Sequence, residues 1–255
     1  MSKGQRPTQR GVDSARERSK AFHLREAERA RRRRLLRWVG AAVAIAVVAV
    51  VIVVSATGND TKKPSVTSGS TDSASATLTG PMGPEGIALE EGTLLAPVAA
   101  AAQGATVDGV QCNSMEQVAY HIHIHLAVYV NGALRPIPPG IGVVTPVAQQ
   151  TPNGVFDQAS RCYYWLHTHA QDGIIHVEAP SQARYTLGNF FHIWQQPLSA
   201  TRVGPAAGAV TAYVNGARFT GDPTTIPMNN HEDVQLDVGT PTVAPKRVDW
   251  SQSQL

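Results

Sequence analysis

The chain has 255 residues, 42% of them hydrophobic and 16% charged, with a formal net charge of +3. That charge conceals two opposite parts: residues 1–37 hold 13 Lys/Arg against 4 Asp/Glu, and residues 38–255 hold 9 against 15. A uniformly basic domain would point to nucleic acid; a basic tail on a mildly acidic body argues against a nucleic-acid partner.

Residues 1–37 read as a basic cytoplasmic tail whose default role is electrostatic, at an anionic leaflet. Arg31–Arg34 and Arg37 stand directly before an uncharged run from Trp38 to Gly58, 21 residues long. At about 1.5 Å per residue such a helix spans roughly 30 Å, the thickness of a hydrocarbon core. The basic flank places the N-terminus in the cytoplasm, and Trp38 suits the interface. The expectation is a single-pass transmembrane helix over 38–58, with the bilayer as a partner and the body extracytoplasmic. A cleaved signal peptide competes, because Val54-Ser-Ala56 resembles a cleavage site. Against it, the apolar run exceeds the usual length of about 7–15 residues. From Ser55 to Gly80, 15 of 26 residues are Ser, Thr or Gly, so residues 59–84 are expected to be a flexible linker. The extracytoplasmic domain is then 85–255, with its folded body from about Val107 to Val248.

Along that domain, Leu94–Gln103 suggests a short helix closed by Gly104. Tyr120–Val130 alternates without a break over eleven residues: Ile122, Ile124, Leu126, Val128 and Val130 fall on one side, and His121, His123 and His125 on the other. This predicts a strand with an apolar core face. Asn131-Gly132 is a two-residue hairpin signal, and Pro136, Pro138 and Pro139 confine the return to an edge strand or loop. Gln149–Ala159 reads as loop. Cys162–His169 and Ile174–Glu178 flank Ala170–Gly173 as a second hairpin, whose register sets His167 opposite His176, His169 opposite Ile174 and Trp165 opposite Glu178. Thr186 is a suitable N-cap for a helix Leu187–Gln195 with an apolar stripe of Leu187, Phe190, Phe191 and Trp194, stopped by Pro197. Val210–Val214, a turn at Asn215-Gly216 and Val234–Val238 complete the chain. Tyr-Val-Asn-Gly-Ala occurs at 129–133 and 213–217, from duplication or from shared hairpin chemistry. The fold class is α+β, mostly antiparallel hairpins with one packed helix. The order strand, strand, helix, strand, strand from residue 162 onward is like that of the β-grasp fold.

Six of the nine histidines fall in two clusters, His121, His123, His125 and His167, His169, His176. Opposed residues on paired strands have Cβ atoms about 4.5–5.5 Å apart, and residues i and i+2 lie about 6.5 Å apart, so both spacings let two imidazoles reach one ion. A His-x-His pair plus one cross-strand His is a three-nitrogen site that suits zinc or copper, and imidazole also accepts nickel and iron. Asp172 and Glu178 are candidate acceptors that would fix ring tautomers, and His231 is a candidate to join from a loop. The competing readings are a hydrogen-bonded polar network or pH-responsive surface, and unrelated exposed histidines. Six are too many for one mononuclear site: some are structural, two ions bind, or the clusters lie apart. His192 and His23 read as incidental. Cys112 and Cys162 are the two cysteines; outside the cytoplasm they are expected to form a disulfide. Closing a loop of that length stabilises a fold by about 4 kcal/mol in the chain-entropy model. Thiolate ligation beside the histidines is the alternative.

No Gly-rich phosphate loop, G-x-S-x-G elbow or HExxH helix occurs, so the residues assign no catalytic group. The combination Cys112…His121-Ile-His-Ile-His125…Leu166-His-Thr-His-Ala-Gln-Asp-Gly-Ile-Ile-His-Val-Glu178…Thr186-Leu-Gly-Asn-Phe-Phe191…Ile226-Pro-Met-Asn-Asn-His231 resembles a family of membrane-anchored bacterial proteins with an extracytoplasmic His-rich domain. The resemblance covers most of residues 85–250. It implies one domain over 107–248 and brings no established activity. The leading expectation is transition-metal binding, of copper or zinc, outside the membrane. A metal-dependent enzyme with an open coordination position is the second, and an interaction module using the Asn-Gly hairpins and the aromatics Tyr163, Trp165 and Trp194 is the third.

Overall fold

A computed structural model describes residues 76–253 and residue 255. The expected tail (1–37), membrane helix (38–58) and the linker up to residue 75 lie outside the described residues. Among the described residues no helix is long and apolar enough to cross a membrane.

Among the described residues the fold is α+β, mostly sheet with one α-helix. Its main strands are β1 (Tyr120–Val130), β2 (Val143–Thr151), β3 (Gly154–Tyr164), β4 (Leu166–His167) and β5 (Ile174–Ala179). Helix α1 (Leu187–Trp194) follows, then β6 (Val210–Val214), β7 (Ala217–Phe219) and β8 (Glu232–Val238). The large sheet has the order β7-β6-β8-β1-β5-β4, with Ala133–Leu134 folded back on the end of β1. β1 lies at its centre, parallel to β8 and antiparallel to β5. The histidine-bearing ribbon is thus the middle of the sheet rather than part of a separate first half.

Alternation along the three middle strands sorts their side chains into two layers. Ile124, Leu126 and Val128 of β1, Ile175 and Val177 of β5, and Val234 and Leu236 of β8 join one apolar core with Leu187, Phe190, Phe191, Ile193 and Trp194 of α1. The helix forms as its sequence predicts: Thr186 and Asn189 build a reciprocal capping box, and the chain leaves the helix with Gln195 in the left-handed region. The other layer is polar and equally buried, and it carries His123, His125, His176, Glu178, Asp233, Gln235 and Asp237. Two chain segments cover it. Glu85, Ile87 and Glu90 come from the N-terminal side, and Ile87 packs with Ile174 and Val248 in a second small apolar cluster. From the C-terminal side, Lys246 N donates to Gln235 Oε1 (3.0 Å) and Val248 N to Asp233 Oδ1 (3.2 Å), while Arg247 Nε pairs with Asp233 Oδ2 (3.0 Å).

Three expectations change here. Residues 76–84 belong to the folded body and not to the linker, because Ala76–Thr77 pair in parallel with Lys246–Arg247. Gln149–Ala159 is not a loop: β2 and β3 form a long hairpin joined by Pro152-Asn153, and Cys112–Asn113 pair on the far side of β3. Pro146 is tolerated because β2 is an edge strand whose register slips at a bulge between Val144 and Pro146, with Thr145 at φ 56°. The helix expected over Leu94–Gln103 is reduced to one 3₁₀ turn at Val98–Ala100. Both Asn-Gly turns form as expected, with positive φ at Asn131, Gly132, Asn215 and Gly216. The disulfide Cys112–Cys162 is formed and ties the start of β1's approach to β3.

Gly173 is where the turn before β5 meets the histidine layer. It sits at φ +75°, and an added Cβ would lie 2.7 Å from His125 Nε2 and 2.8 Å from Leu126 O. Both the conformation and the space require glycine. Gly173→Ala is expected to destabilise the protein by about 2–3 kcal/mol, read as a lower urea midpoint at unchanged m-value. An unchanged midpoint would show that the turn does not press on β1.

Candidate metal centre

Pairing of β1 with β5 and of β5 with β4 lines up three imidazoles across the sheet. His123 is directly opposite His176, and His176 is directly opposite His167. The ring centroids lie 4.6 Å and 5.2 Å apart. His121 extends the row at one end, 4.5 Å from the His123 ring. At the other end His169 approaches to 4.6 Å from His167 and 4.7 Å from His176. The predicted register holds at His167 and fails one step later. β4 ends at His167, Thr168 N turns to Ile141 O (3.0 Å), and His169 O accepts from Asp157 N (2.9 Å). His169 therefore leaves Ile174 and folds back beside His167.

Five of the six predicted histidines thus converge. Ligand atoms of His167, His169 and His176 all lie within 4.8 Å of one another, as do those of His121, His123 and His176. A third group of the same compactness joins Glu116, His167 and Glu178. Such groups could hold a metal ion.

Two rings of the first group have fixed tautomers. His167 Nδ1 donates to Tyr164 O at 2.8 Å, and His169 Nδ1 donates to Asp157 O at 2.6 Å. A backbone carbonyl can only accept, so each neutral ring carries its hydrogen on Nδ1 and its lone pair on Nε2. The two Nε2 atoms face each other at 3.0 Å. Two lone pairs at that distance repel unless a proton or a cation lies between them. Two nitrogens on a tetrahedral zinc at 2.0–2.1 Å are about 3.3 Å apart, so the pair is already nearly at ligand spacing. Phe156 stacks on His169 (4.2 Å, 11°) and Tyr163 leans on both rings, which holds their planes.

His176 is held differently. Its Nε2 contacts Glu85 Oε1 at 2.7 Å and its Nδ1 lies 3.4 Å from Glu178 Oε1. Glu178 also takes His121 Nε2 at 3.0 Å. His123 Nε2, by contrast, is buried with no hydrogen-bond partner, a cost a native fold seldom bears without a reason.

His125 does not join. Its cross-strand neighbour is Ile174, and its ring is drawn to Glu90 Oε1 (3.2 Å) and Asp233 (3.9 Å). Asp172 does not orient a histidine by hydrogen bond either; Oδ1 accepts from Ile174 N (3.1 Å) and shapes the turn. Burial, then the charge of Glu85, pushes its carboxyl well above the usual range. Against the upward push of burial, hydrogen bonds with His121 and His176 hold the Glu178 carboxyl well below the usual range. His231 donates its N–H to His123 O (2.7 Å) but stacks its ring on Trp250, outside the ligand groups. His192 pairs with Asp108 on the exposed side of α1. Sequence reasoning missed Glu85 and Glu116, the latter with Oε1 3.6 Å from His169 Nε2. Both come from irregular segments with no period to mark them.

No family model matches the chain, and no curated protein or solved structure matches it.

Burial holds His123 and His169 well below the ordinary imidazole range, and His167 below it. Burial pulls His176 the same way, but Glu85 and Glu178 outweigh it and raise that ring well above the range. An unfolded imidazole takes its proton near pH 6.5. The stability contributed by His123, His167 and His169 is therefore full above about pH 6.5 and is lost as pH falls from there toward their folded values. The contribution of His176 has the opposite sign: it is present below about pH 6.5 and lost as pH rises through the raised folded value. With three groups against one, the metal-free protein is expected to show a lower urea midpoint at about pH 5 than at about pH 7.5. A flat or rising midpoint toward acid would contradict this assignment of protonation states.

Proposed function

We propose that this chain is a single-pass membrane protein whose extracytoplasmic domain binds a transition metal, copper or zinc, through clustered strand histidines. The observation that carries the reading is the pair of bare Nε2 atoms of His167 and His169, facing each other at 3.0 Å with both Nδ1 hydrogens tied to backbone carbonyls. His176 is the third nitrogen within reach. Three imidazoles and an open position suit zinc, and the same donors suit copper. Recruiting His176 requires it to give up its proton, so metal uptake releases a proton and weakens in acid. The Cys112–Cys162 bridge agrees with an oxidising compartment, and the uncharged run 38–58 behind an arginine cluster agrees with an N-in anchor.

The resemblance to membrane-anchored bacterial proteins with an extracytoplasmic His-rich domain is part of the same proposal. So is a β-grasp relationship. It concerns the second half of the domain and is supported by the element order β4, β5, α1, β6, β8 after residue 162. That relationship carries no activity by itself. A metal-dependent enzyme is the second reading, favoured by Glu116, a carboxylate 3.6 Å from His169 Nε2 that could serve as acid or base beside an ion.

The test is calorimetric titration of the full-length purified chain with zinc or copper(II). His167→Ala/His169→Ala is expected to lose stoichiometric binding, with a fall in affinity beyond the roughly 10–100-fold that loss of an outer partner costs. His192→Ala, on the exposed face of the helix, should bind as the parent does. An unchanged isotherm for the double variant would overturn the proposal.

A further inference from the structure

The histidine chain has two ends of different character. Exposure is greatest at His121, whose side chain is 15% exposed, whereas His123 and His176 are buried and His167 and His169 reach 0%. The pair best arranged to grip an ion therefore has no contact with solvent. Of the five clustered rings, His121, at the opposite end, is the most open to water. Between the two ends the spacing is continuous, with ring centroids 4.5 Å, 4.6 Å and 4.7 Å apart from His121 through His123 and His176 to His169. His176 belongs to both three-nitrogen groups. His123 Nε2, in the middle of this run, is buried without a hydrogen-bond partner.

Resting on the metal-binding reading above, we infer that the five histidines form a two-station path for one ion. His121 and His123 are the loading station, His167 and His169 the holding station, and His176 is the ligand shared in the handover. The exchange is of donors about an unchanged ion. Nitrogens of His167 and His169 form bonds as those of His121 and His123 break, no electron moves, and His176, common to both groups, stays bound throughout. An aqua cation cannot reach a fully buried pair directly without shedding its water in one step. A series of imidazoles replaces that water one ligand at a time. Because both stations need His176, only one is filled at once.

The experiment measures copper(II) loading of the full-length chain by stopped-flow quenching of tryptophan fluorescence, alongside equilibrium titration. Wild type should hold one copper ion. His121→Ala should keep its equilibrium affinity within about threefold yet load at least about tenfold more slowly, because the gated step limits association. The His192→Ala chain should load at the wild-type rate. His121→Gln, which keeps a polar head toward Glu178 but offers no imidazole, serves the same test should the alanine chain misfold. Wild-type loading by the His121 variants, or two copper ions held together in the parent chain, would overturn the path while leaving the holding station intact. Unchanged equilibrium binding in His167→Ala/His169→Ala would instead overturn the metal reading on which the path rests.

Discussion

Two nitrogen lone pairs aimed at each other across 3.0 Å are the constraint around which this domain is built. Each would be relieved by a small rotation of its ring, and neither ring is free to rotate. Their Nδ1 hydrogens are engaged by the carbonyls of Tyr164 and Asp157, and Phe156 lies flat against one of them. Tyr164, Asp157 and Phe156 all belong to β3, the long strand that the disulfide ties to Cys112. The second sheet thus acts as a clamp on the first. Its rigidity is what converts an unfavourable contact into a place for a cation, on the general ground that a ligand ring must be oriented from behind before it can bind well.

Burying a polar layer on one face of a sheet costs a great deal unless every group in it is paired. The chain meets that cost with segments from both flanks. Glu85 and Glu90 reach His176 and His125 across 91 and 35 residues of sequence, and the C-terminal stretch answers Asp233 and Gln235. This division also explains why the six histidines are unequal. His125, tied to Glu90 and outside the ligand groups, is a satisfied structural group, whereas His123 Nε2 has no hydrogen-bond partner and is left able to accept an ion.

Much of the arrangement could be read from residue order. Strict alternation over 120–130 gave away β1, and two Asn-Gly dipeptides marked turns that need positive φ. Thr186 marked the start of α1, and the two-strand register predicted His167 against His176. These are local signals, decided within a dozen residues. What could not be read is long-range. Nothing in the sequence says that β1 lies between β5 and β8, and only that placement sets His123 against His176 and fuses two apparent clusters into one. The hairpin β2–β3 was hidden because Pro146 and Pro152 look like loop residues until an edge strand with a bulge accommodates the first and a turn the second. Glu85 and Glu116 carry no periodic mark at all.

The central claim is a statement about where two hydrogens sit among four ring nitrogens, and imidazole nitrogen NMR reads it directly. In the metal-free protein near neutral pH, His167 and His169 should both show protonated Nδ1 and bare Nε2 resonances, and on addition of one equivalent of zinc the two Nε2 signals should move together to metal-bound positions. Rings protonated at Nε2, or Nε2 signals that zinc leaves in place, would contradict the account.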